Sequence, residues 1–391
     1  MSELSLIKFS PKSFLHVLDK YNFPDWYIFL LFCFARNPGE PRDRTGNLSN
    51  PFKIDSKYKI TIPNDLSGGT NIIQYMEDRA SEIETIANGK YLDLFLSGGF
   101  DSVAVYATLI KICDVSKIRA CFWYSDDISD KKALNQFSPE LYNYIISNKY
   151  NYRLLNNSQL HADDAVSIIG HPGNFISGTN VKNYVSKTRI NGIITTLHSK
   201  IINGDYDNKS WEELITDIGN NIKDQELNDF NESFNFNIAK VVEQLAPVFN
   251  SCPVDISGDA IKTLWWFKFS MGYSDRVLGP WYLMKNLSTD RADQVFPFYH
   301  GDNFQKYMIN VCLNQKKYIH PPHNRNDELR EYMLDFYSDS KIVENTINLD
   351  NVIGLVHSKE TRGVMRLNNG EVLDTNEYLE RESELKSIFY Q

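Results

Sequence analysis

The first ninety residues combine two helix-like segments with one short strand-like segment. Apolar positions at helical spacing predict a helix over residues 11–34, which a Pro- and Gly-rich segment ends. Alternating apolar and polar residues predict a strand over residues 58–62. Residues 72–88 again carry apolar residues at helical spacing, and Asn88 before a glycine is typical of a helix C-cap. This order predicts a small N-terminal α+β extension over residues 1–90.

Strand-like and helix-like segments alternate after residue 90. Short apolar runs predict strands over residues 91–96, 118–124 and 152–155. Residues 103–112 and 138–149 show helical spacing between these runs. Strands that alternate with helices predict βαβ units and a parallel sheet, with ligands bound at the carboxyl ends of the strands.

The chain beyond residue 205 has a mainly helical pattern, and the next predicted strand covers residues 352–356. Hydrophobic residues make up 42% and charged residues 23% of the sequence, which are ordinary values for a folded globular protein. We therefore predict an α/β domain over residues 91–391. It has a parallel sheet and a helical C-terminal portion.

Charge and cysteine usage narrow the class of protein. Lys and Arg number 41 and Asp and Glu 50, which gives a net charge of −9. Such a chain lacks the cationic surface that dominates nucleic-acid affinity, so we expect no nucleic-acid partner. The five cysteines are scattered and form no C-x-x-C pair, which favours a reducing cytoplasm over a disulfide framework or a cysteine zinc site.

Nothing in the pattern predicts a membrane segment. The longest apolar stretch covers ten residues from Trp26 to Ala35. It would cross about half of the ~30 Å hydrocarbon core of a bilayer, so a buried helix is the better interpretation. The first residues show no basic stretch followed by an apolar run, so we expect no signal peptide and a cytoplasmic location. The sequence predicts no particular oligomeric state.

The segment from Ser97 to Ser102, with the sequence SGGFDS, lies between a predicted strand and a predicted helix. A Gly-Gly turn lets the backbone approach a ligand closely, and N–H groups at a helix N-terminus bind anions. The two serines add hydroxyl donors to the same concavity. Asp101 would repel a phosphate unless a cation lay between them, so it indicates Mg²⁺ bridging phosphate groups.

The order S-G-G-x-D-S after a strand and before a helix resembles the PP-loop signature of the ATP pyrophosphatases. The Walker pattern of ordinary P-loop proteins is absent. A second Ser-Gly-Gly segment, over residues 66–70, lacks the aspartate and a preceding strand, and we interpret it as a turn. The resemblance implies an adenine nucleotide alpha hydrolase-like fold, with Asp101 as the Mg²⁺ ligand. It also implies that ATP is bound by Ser97, Gly98, Gly99, Asp101, Ser102 and Ser125.

The C-terminal half resembles the synthetase domain of asparagine synthetases. Residues 290–304 (DRADQVFPFYHGDNF) are similar to the D-R-x-S-M…R-V-P-F-L-D-x-x-L segment of that family, and residues 328–333 to one of its helices. In this family ATP adenylates a carboxylate, pyrophosphate leaves, and an amine attacks to form an amide. The resemblance implies ATP and Mg²⁺ as cofactors and a small-molecule carboxylate with ammonia or an amine as partners. β-Lactam synthetase and the lasso-peptide cyclases have similar domains.

The chain departs from the asparagine synthetase pattern at several points. Position 2 is serine instead of the nucleophilic cysteine of the glutaminase domain, so we expect no glutamine hydrolysis. The segment 176–180 is a degenerate counterpart of the second pyrophosphate loop and lacks its acidic residue. Asp163-Asp164 would be a substitute, although we interpret this pair as solvated helix surface. His300 and Gly301 alter the turn that follows P-F, so the family's specificity does not carry over.

The resemblance also implies a late lysine that stabilises the oxyanions formed during adenylation and amide formation. We favour Lys359 because a strand-like segment precedes it and a glycine follows, although Lys341 is nearer in spacing. A cation aimed at developing negative charge is a large electrostatic contribution in a dry site.

Three functions remain open from the sequence. The first is an ATP-dependent carbon–nitrogen ligase that forms AMP and pyrophosphate. The second is a PP-loop enzyme that modifies a nucleobase or tRNA, which the lack of cysteine pairs disfavours. The third is a nucleotide-binding protein that has lost catalysis, which the degenerate second loop favours.

Overall fold

The computed structural model divides the chain into two compact units. The first comprises Met1–Ile62, Tyr184–Asn286 and Ser358–Gln391, and the second comprises Pro63–Asn183 and Leu287–His357. The residues described are 5–8, 23–34, 42–49, 58, 60–123, 139–155, 164–170, 176, 206, 208–224, 236–273, 294–315, 326–346, 364–366 and 372–374.

The strands and helices are labelled in chain order. The strands are β1 Ser5–Lys8, β2 Tyr91–Phe95, β3 Ile118–Trp123, β4 Asn151–Leu155, β5 Ala165–Ile169, β6 Val295–Pro297, β7 Val364–Arg366 and β8 Val372–Asp374. The α-helices are α1 Asp25–Phe34, α2 Ile72–Ala87, α3 Phe100–Ile112, α4 Pro139–Ser147, α5 Trp211–Asp224, α6 Ile238–Asn250, α7 Ala260–Phe267, α8 Asp302–Tyr307, α9 Asp327–Phe336 and α10 Ser340–Glu344. Within the described ranges, none of these helices has the length and apolar character needed to cross a bilayer.

The second unit contains a five-stranded sheet in the order β4-β3-β2-β5-β6, and every neighbouring pair is parallel. The chain moves from β2 through β3 to β4 in one direction and then returns to add β5 on the other side of β2. This reversal makes the space between the carboxyl ends of β2 and β5 a topological switch point, where open α/β sheets bind ligands. The predicted α/β class with a parallel sheet is therefore confirmed.

Helix α2 forms because its ends are capped and its apolar stripe is buried. The Asn71 side chain accepts a hydrogen bond from the Gln74 N–H, and Asn88 adopts a left-handed conformation with φ of 48° at the C-cap. These features confirm the predicted helix and its end. Helix α2 packs against α3 and lies in the second unit. We predicted that α2 belongs to an N-terminal extension over residues 1–90, separate from the sheet domain. The spacing of apolar residues predicts the helix but does not reveal which helix it packs against.

Strand β2 places one carboxylate inside the sheet. The Asp93 side chain is only 2% exposed and accepts hydrogen bonds from two arginines, one on the adjacent strand β3 and one on β4 beyond it. Arg119 on β3 donates through Nε and Nη2, and Arg153 on β4 donates through Nη1 at 2.9 Å. The group links three adjacent strands through charged side chains.

We predicted that the Asp163-Asp164 pair lies on a solvated helix surface; Asp163 lies outside the described residues, and Asp164 does not lie on a helix. Asp164 immediately precedes β5, and its carbonyl accepts a hydrogen bond from the N–H of Tyr91, the first residue of β2. Asp164 therefore lies at the amino ends of these strands, whereas the 97–102 segment follows the carboxyl end of β2. This position excludes Asp164 as the substitute metal ligand.

The first unit is mainly helical in its described part, which agrees with the pattern predicted beyond residue 205. Helix α7 continues into a π-helical turn at Lys268–Gly272. Strands β1, β7 and β8 form an antiparallel sheet of three strands. The predicted strand over residues 352–356 lies outside the described residues.

The strand predicted over residues 58–62 is not observed in its described part, residues 58 and 60–62. The Ile62 N–H donates to the carbonyl of Arg44, and the Ile60 carbonyl accepts from the Arg44 guanidinium at 2.6 Å. Arg44 is 1% exposed and lies between the rings of Phe269 and Tyr273. The Ile62 N–H and the Ile60 carbonyl are therefore bonded to this buried arginine and not to a partner strand.

Candidate functional site

The segment Ser97–Ser102 lies at the switch point of the parallel sheet. Strand β2 is the central strand, and the Leu96 N–H extends its pairing by donating to the Cys121 carbonyl of β3 at 2.9 Å. Helix α3 begins at Phe100, so four residues separate the strand from the helix. The predicted order of strand, Gly-rich loop and helix is confirmed. Whether this edge of the sheet could bind a ligand therefore depends on the geometry of the loop.

Gly98 and Gly99 give this loop its shape. Gly98 has a φ of 74°, in the left-handed region that favours glycine. Gly99 is the N-cap of α3, with φ of −75° and ψ of 157°, and it makes no side-chain capping bond. A helix N-terminus without a capping side chain suits an anion, because its first N–H groups and its dipole both favour negative charge.

A closed set of hydrogen bonds joins the two serines of the loop. The Gly99 N–H donates to Ser97 Oγ at 3.3 Å, the two Oγ atoms of Ser97 and Ser102 are 3.1 Å apart, and Ser102 Oγ donates to the Gly99 carbonyl at 3.0 Å. Because the Ser102 proton points at that carbonyl, Ser97 is the donor between the hydroxyls. Ser102 is 4% exposed and fastens the loop from inside, whereas Ser97 is exposed to a ligand.

Asp101 lies in the first turn of α3 and is half-buried. Its carboxylate supplies hard oxygen atoms of the kind that Mg²⁺ prefers as ligands. Among the residues described by the structure, no group of three or more His, Cys, Asp or Glu side chains could hold a metal ion. Mg²⁺ usually needs only one or two carboxylates when substrate phosphates and water complete its octahedron. The donor set at this loop therefore fits Mg²⁺ bound together with a phosphate chain.

Two neighbouring segments approach the start of α3 closely. Gly170 follows β5, and a Cβ built there would lie 3.3 Å from the N and Cα atoms of Ser102. Tyr299 follows β6, and its hydroxyl donates to the Asp101 carbonyl at 3.1 Å. Burial raises the pKa of Tyr299 well above its usual value, and the charge of Asp101 raises it further. The hydroxyl therefore stays protonated and remains a donor.

Sequence reasoning did not single out Gly170 or Tyr299 as site residues. Tyr299 belongs to the 290–304 segment, which we used only for its resemblance to asparagine synthetases. The sequence signal for Tyr299 was an aromatic residue beside a turn, directly after a short apolar run. Its role became clear only from the order of the strands in the sheet. Helix α9 covers residues 328–333 as that resemblance implies, and it packs on α3.

The remaining predicted site residues are only partly described. Ser125 and Lys359 lie outside the described residues. Lys341 is exposed at the start of α10. In the segment 176–180 only Ile176 is described: it is buried, and its carbonyl accepts a hydrogen bond from Asn326 at 3.3 Å.

The second Ser-Gly-Gly segment, residues 66–70, is a loop without regular structure, as we predicted. Its two glycines, Gly68 and Gly69, have φ values of 76° and 79°. Asn310 Nδ2 donates to the Leu66 and Gly68 carbonyls at 2.7 Å each. The Leu66 and Gly68 carbonyls are therefore already hydrogen-bonded within the protein. This loop also does not follow a strand.

No protein-family model matches the chain, and no curated protein matches it. The functional interpretation of the Ser97–Ser102 loop therefore depends on its sequence and its geometry.

Proposed function

We propose that this protein is an ATP-dependent ligase of the PP-loop type. It would activate a carboxylate by adenylation, release pyrophosphate, and then form an amide with ammonia or an amine. The observation that carries the proposal is the glycine loop at the switch point, with an uncapped helix N-terminus and Asp101 in its first turn. An ordinary βα turn needs neither the exposed Ser97 hydroxyl nor a carboxylate at this position.

The loop residues have separate roles in this proposal. Ser97 would turn its hydroxyl proton from Ser102 to the ligand, and with the N–H groups at the start of α3 it would hold oxygens of the β- and γ-phosphates, which leaves the α-phosphorus open to attack. The substrate carboxylate oxygen bonds to that phosphorus as the bond to the β-phosphate oxygen breaks, and the electron pair leaves with pyrophosphate. Asp101 would hold Mg²⁺, which when bound would supply positive charge against the leaving group. Ser102 keeps the loop closed.

Two residues enter the proposal through the resemblance alone. Ser125 follows the predicted strand next to the loop, where it would contact the nucleotide. Lys359 would place an ammonium group against the negative charge that develops on the substrate and at the α-phosphate. The amine then attacks the acyl-adenylate carbonyl carbon, AMP leaves, and the amine gives up a proton as the amide forms.

The decisive experiment follows the products of ATP. Purified protein is incubated with Mg²⁺, ATP labelled at the α-phosphorus and a metabolite extract free of nucleic acid. We expect AMP and pyrophosphate in equal amounts, with an adenylated small molecule captured by mass spectrometry. ADP and phosphate as stoichiometric products would overturn the proposal. Turnover that requires added tRNA would favour the nucleobase-modifying alternative, and tight ATP binding without any turnover would favour a protein that has lost catalysis.

Substitution of Asp101 by asparagine should change the effect of Mg²⁺ on ATP binding. In the native protein Mg²⁺ should tighten binding, because it bridges the carboxylate and the phosphates. In Asp101→Asn we expect Mg·ATP affinity to fall about tenfold, the size of one charge-assisted contact of ~1.4 kcal/mol. ATP without Mg²⁺ should bind the variant at least as tightly, since a repulsive charge is gone. Calorimetric titration with and without Mg²⁺ measures both; equal losses in the two conditions would exclude a metal role for Asp101.

Substitution of Lys359 by alanine should slow amide formation about a hundredfold, the typical effect of removing one group that stabilises an oxyanion. The rate is measured as AMP release with the extract that supports turnover. Lys341→Ala is the matched control, because Lys341 is the other candidate and is exposed on α10. A large loss in Lys341→Ala with none in Lys359→Ala would exchange the two roles.

A further inference from the structure

We infer that Tyr299 is a positioning residue that orients Asp101 toward bound Mg·ATP. The inference rests on the proposed function, and the juxtaposition that carries it is a hydrogen bond. Tyr299 follows β6, two strands away from β2 in the sheet, and its hydroxyl donates to the Asp101 carbonyl at 3.1 Å. The side chain is fully buried. A residue almost two hundred positions away in the chain is thus bonded to the peptide that carries the proposed metal ligand.

The Tyr299 ring is itself held firmly. The preceding residue, Phe298, donates its N–H to the Ile169 carbonyl at 2.8 Å, which continues the pairing of β6 with β5. The ring then meets those of Phe298 and Phe304 edge to face, with centroids 5.3 and 5.5 Å away. Such pairs favour one ring orientation. The hydroxyl therefore has a fixed position from which to bind Asp101.

The bond matters because it restrains the first turn of a helix whose N-cap residue makes no side-chain bond. Gly99 is the N-cap of α3 and supplies no side-chain bond, so the first turn lacks the usual device that keeps a helix end ordered. First turns commonly fray. A donor fixed to the Asp101 carbonyl restricts rotation of that peptide, and the direction of the Asp101 side chain follows its peptide. Ligands on such sites gain from groups that are held in place before binding.

The same helix offers a matched control. The Tyr337 hydroxyl donates to the Val103 carbonyl at 3.1 Å, two residues further along α3. Tyr337 is also buried, at 2% exposure. The two tyrosines therefore make the same bond to the same helix, but only that of Tyr299 reaches the residue with the carboxylate. Any general effect of losing a buried tyrosine hydroxyl should appear in both.

The test compares Tyr299→Phe with Tyr337→Phe, which both retain the aromatic ring. Mg·ATP affinity is measured by calorimetry over a range of Mg²⁺ concentrations, together with the unfolding temperature. We expect similar, small decreases in unfolding temperature for the two variants. Only Tyr299→Phe should require about tenfold more Mg²⁺ for half-maximal ATP affinity. Equal Mg²⁺ requirements in the two variants would overturn the positioning role and leave the proposed function intact.

A double variant separates a local role from general weakening. If Tyr299 acts through Asp101, then Tyr299→Phe should cause no further change in the Mg²⁺ requirement once Asp101 is asparagine. Additive losses would contradict the inference even if Tyr299→Phe alone were poorly stable. Native protein that binds no Mg·ATP at all would overturn the proposed function and this inference together.

Discussion

Substitution of Gly99 by valine should remove Mg·ATP binding while the protein stays folded. Gly99 has φ of −75° and ψ of 157°, a conformation that valine adopts readily. A Cβ built there meets only Ser97 Oγ, at 3.4 Å, which is ordinary contact. The added Cβ therefore fits the protein, and the branched side chain should occupy the concavity where a phosphate would sit in the proposed site. We expect at least a hundredfold loss of affinity by calorimetry, with a nearly unchanged unfolding temperature.

Gly99→Ala makes the prediction graded. Its single methyl group occupies less of the concavity, so affinity should lie between that of the native protein and that of Gly99→Val. Gly98→Ala acts differently, because the φ of 74° at Gly98 is strained for any residue with a Cβ. That variant should lose stability as well as affinity. Native-like Mg·ATP affinity in folded Gly99→Val would eliminate this loop as the phosphate site.

The sequence predicted the elements whose signals are local. The order of strands and helices from β2 to β4 is observed because each element has its own apolar run or helical stripe. The end of α2 at Asn88 is another such case, since a left-handed residue before a glycine needs no distant partner. The loop Ser97–Ser102 was also predictable, because its six residues are contiguous.

The features that the sequence did not predict depend on distant pairing. Strand β5 exists through its register with β2, in which Tyr91 pairs with Ala165 and Phe95 with Ile169. Strand β6 has three residues, too few for a periodic pattern. The sequence alone made the two aspartates before β5 look like solvated helix surface. Two aspartates carry no information about a strand that begins beside them, because that strand depends on its pairing with β2.

The site shows the same limit. Sequence reasoning treats Ser97 and Ser102 as equivalent hydroxyl donors, but the fold turns Ser102 inward to the Gly99 carbonyl and leaves Ser97 exposed. Tyr299 and Gly170 reach the start of α3 only because β5 and β6 extend the sheet beyond β2. Strand order therefore adds contacts to the start of α3 that the contiguous motif does not contain.

Substitution of Asp93 by asparagine should cause a large loss of stability. The Asp93 carboxylate is 2% exposed and binds Arg119 on the adjacent strand β3 and Arg153 on β4 beyond it. Asparagine keeps the shape but removes the charge and one acceptor oxygen, so both guanidinium groups lose this buried carboxylate, while Arg119 keeps the exposed Asp164. Breaking a buried ion pair in this way costs roughly 3–5 kcal/mol. We expect about 3 kcal/mol, the lower end, because Arg119 and Arg153 retain 16% and 22% exposure.

Asp164→Asn is the matched control for Asp93→Asn, because Asp164 also binds Arg119, at 3.3 Å, but its side chain is 58% exposed. Exposed ion pairs typically contribute less than about 1 kcal/mol. Chemical denaturation at neutral pH measures the free energy of unfolding of both variants. The comparison is between the two carboxylates that bind Arg119, which differ mainly in burial. Equal losses in the free energy of unfolding would contradict a special role for Asp93. A loss confined to Asp93→Asn would mean that the strand preceding the Ser97–Ser102 loop is held by charge as well as by backbone pairing, so that the loop starts from a fixed strand end.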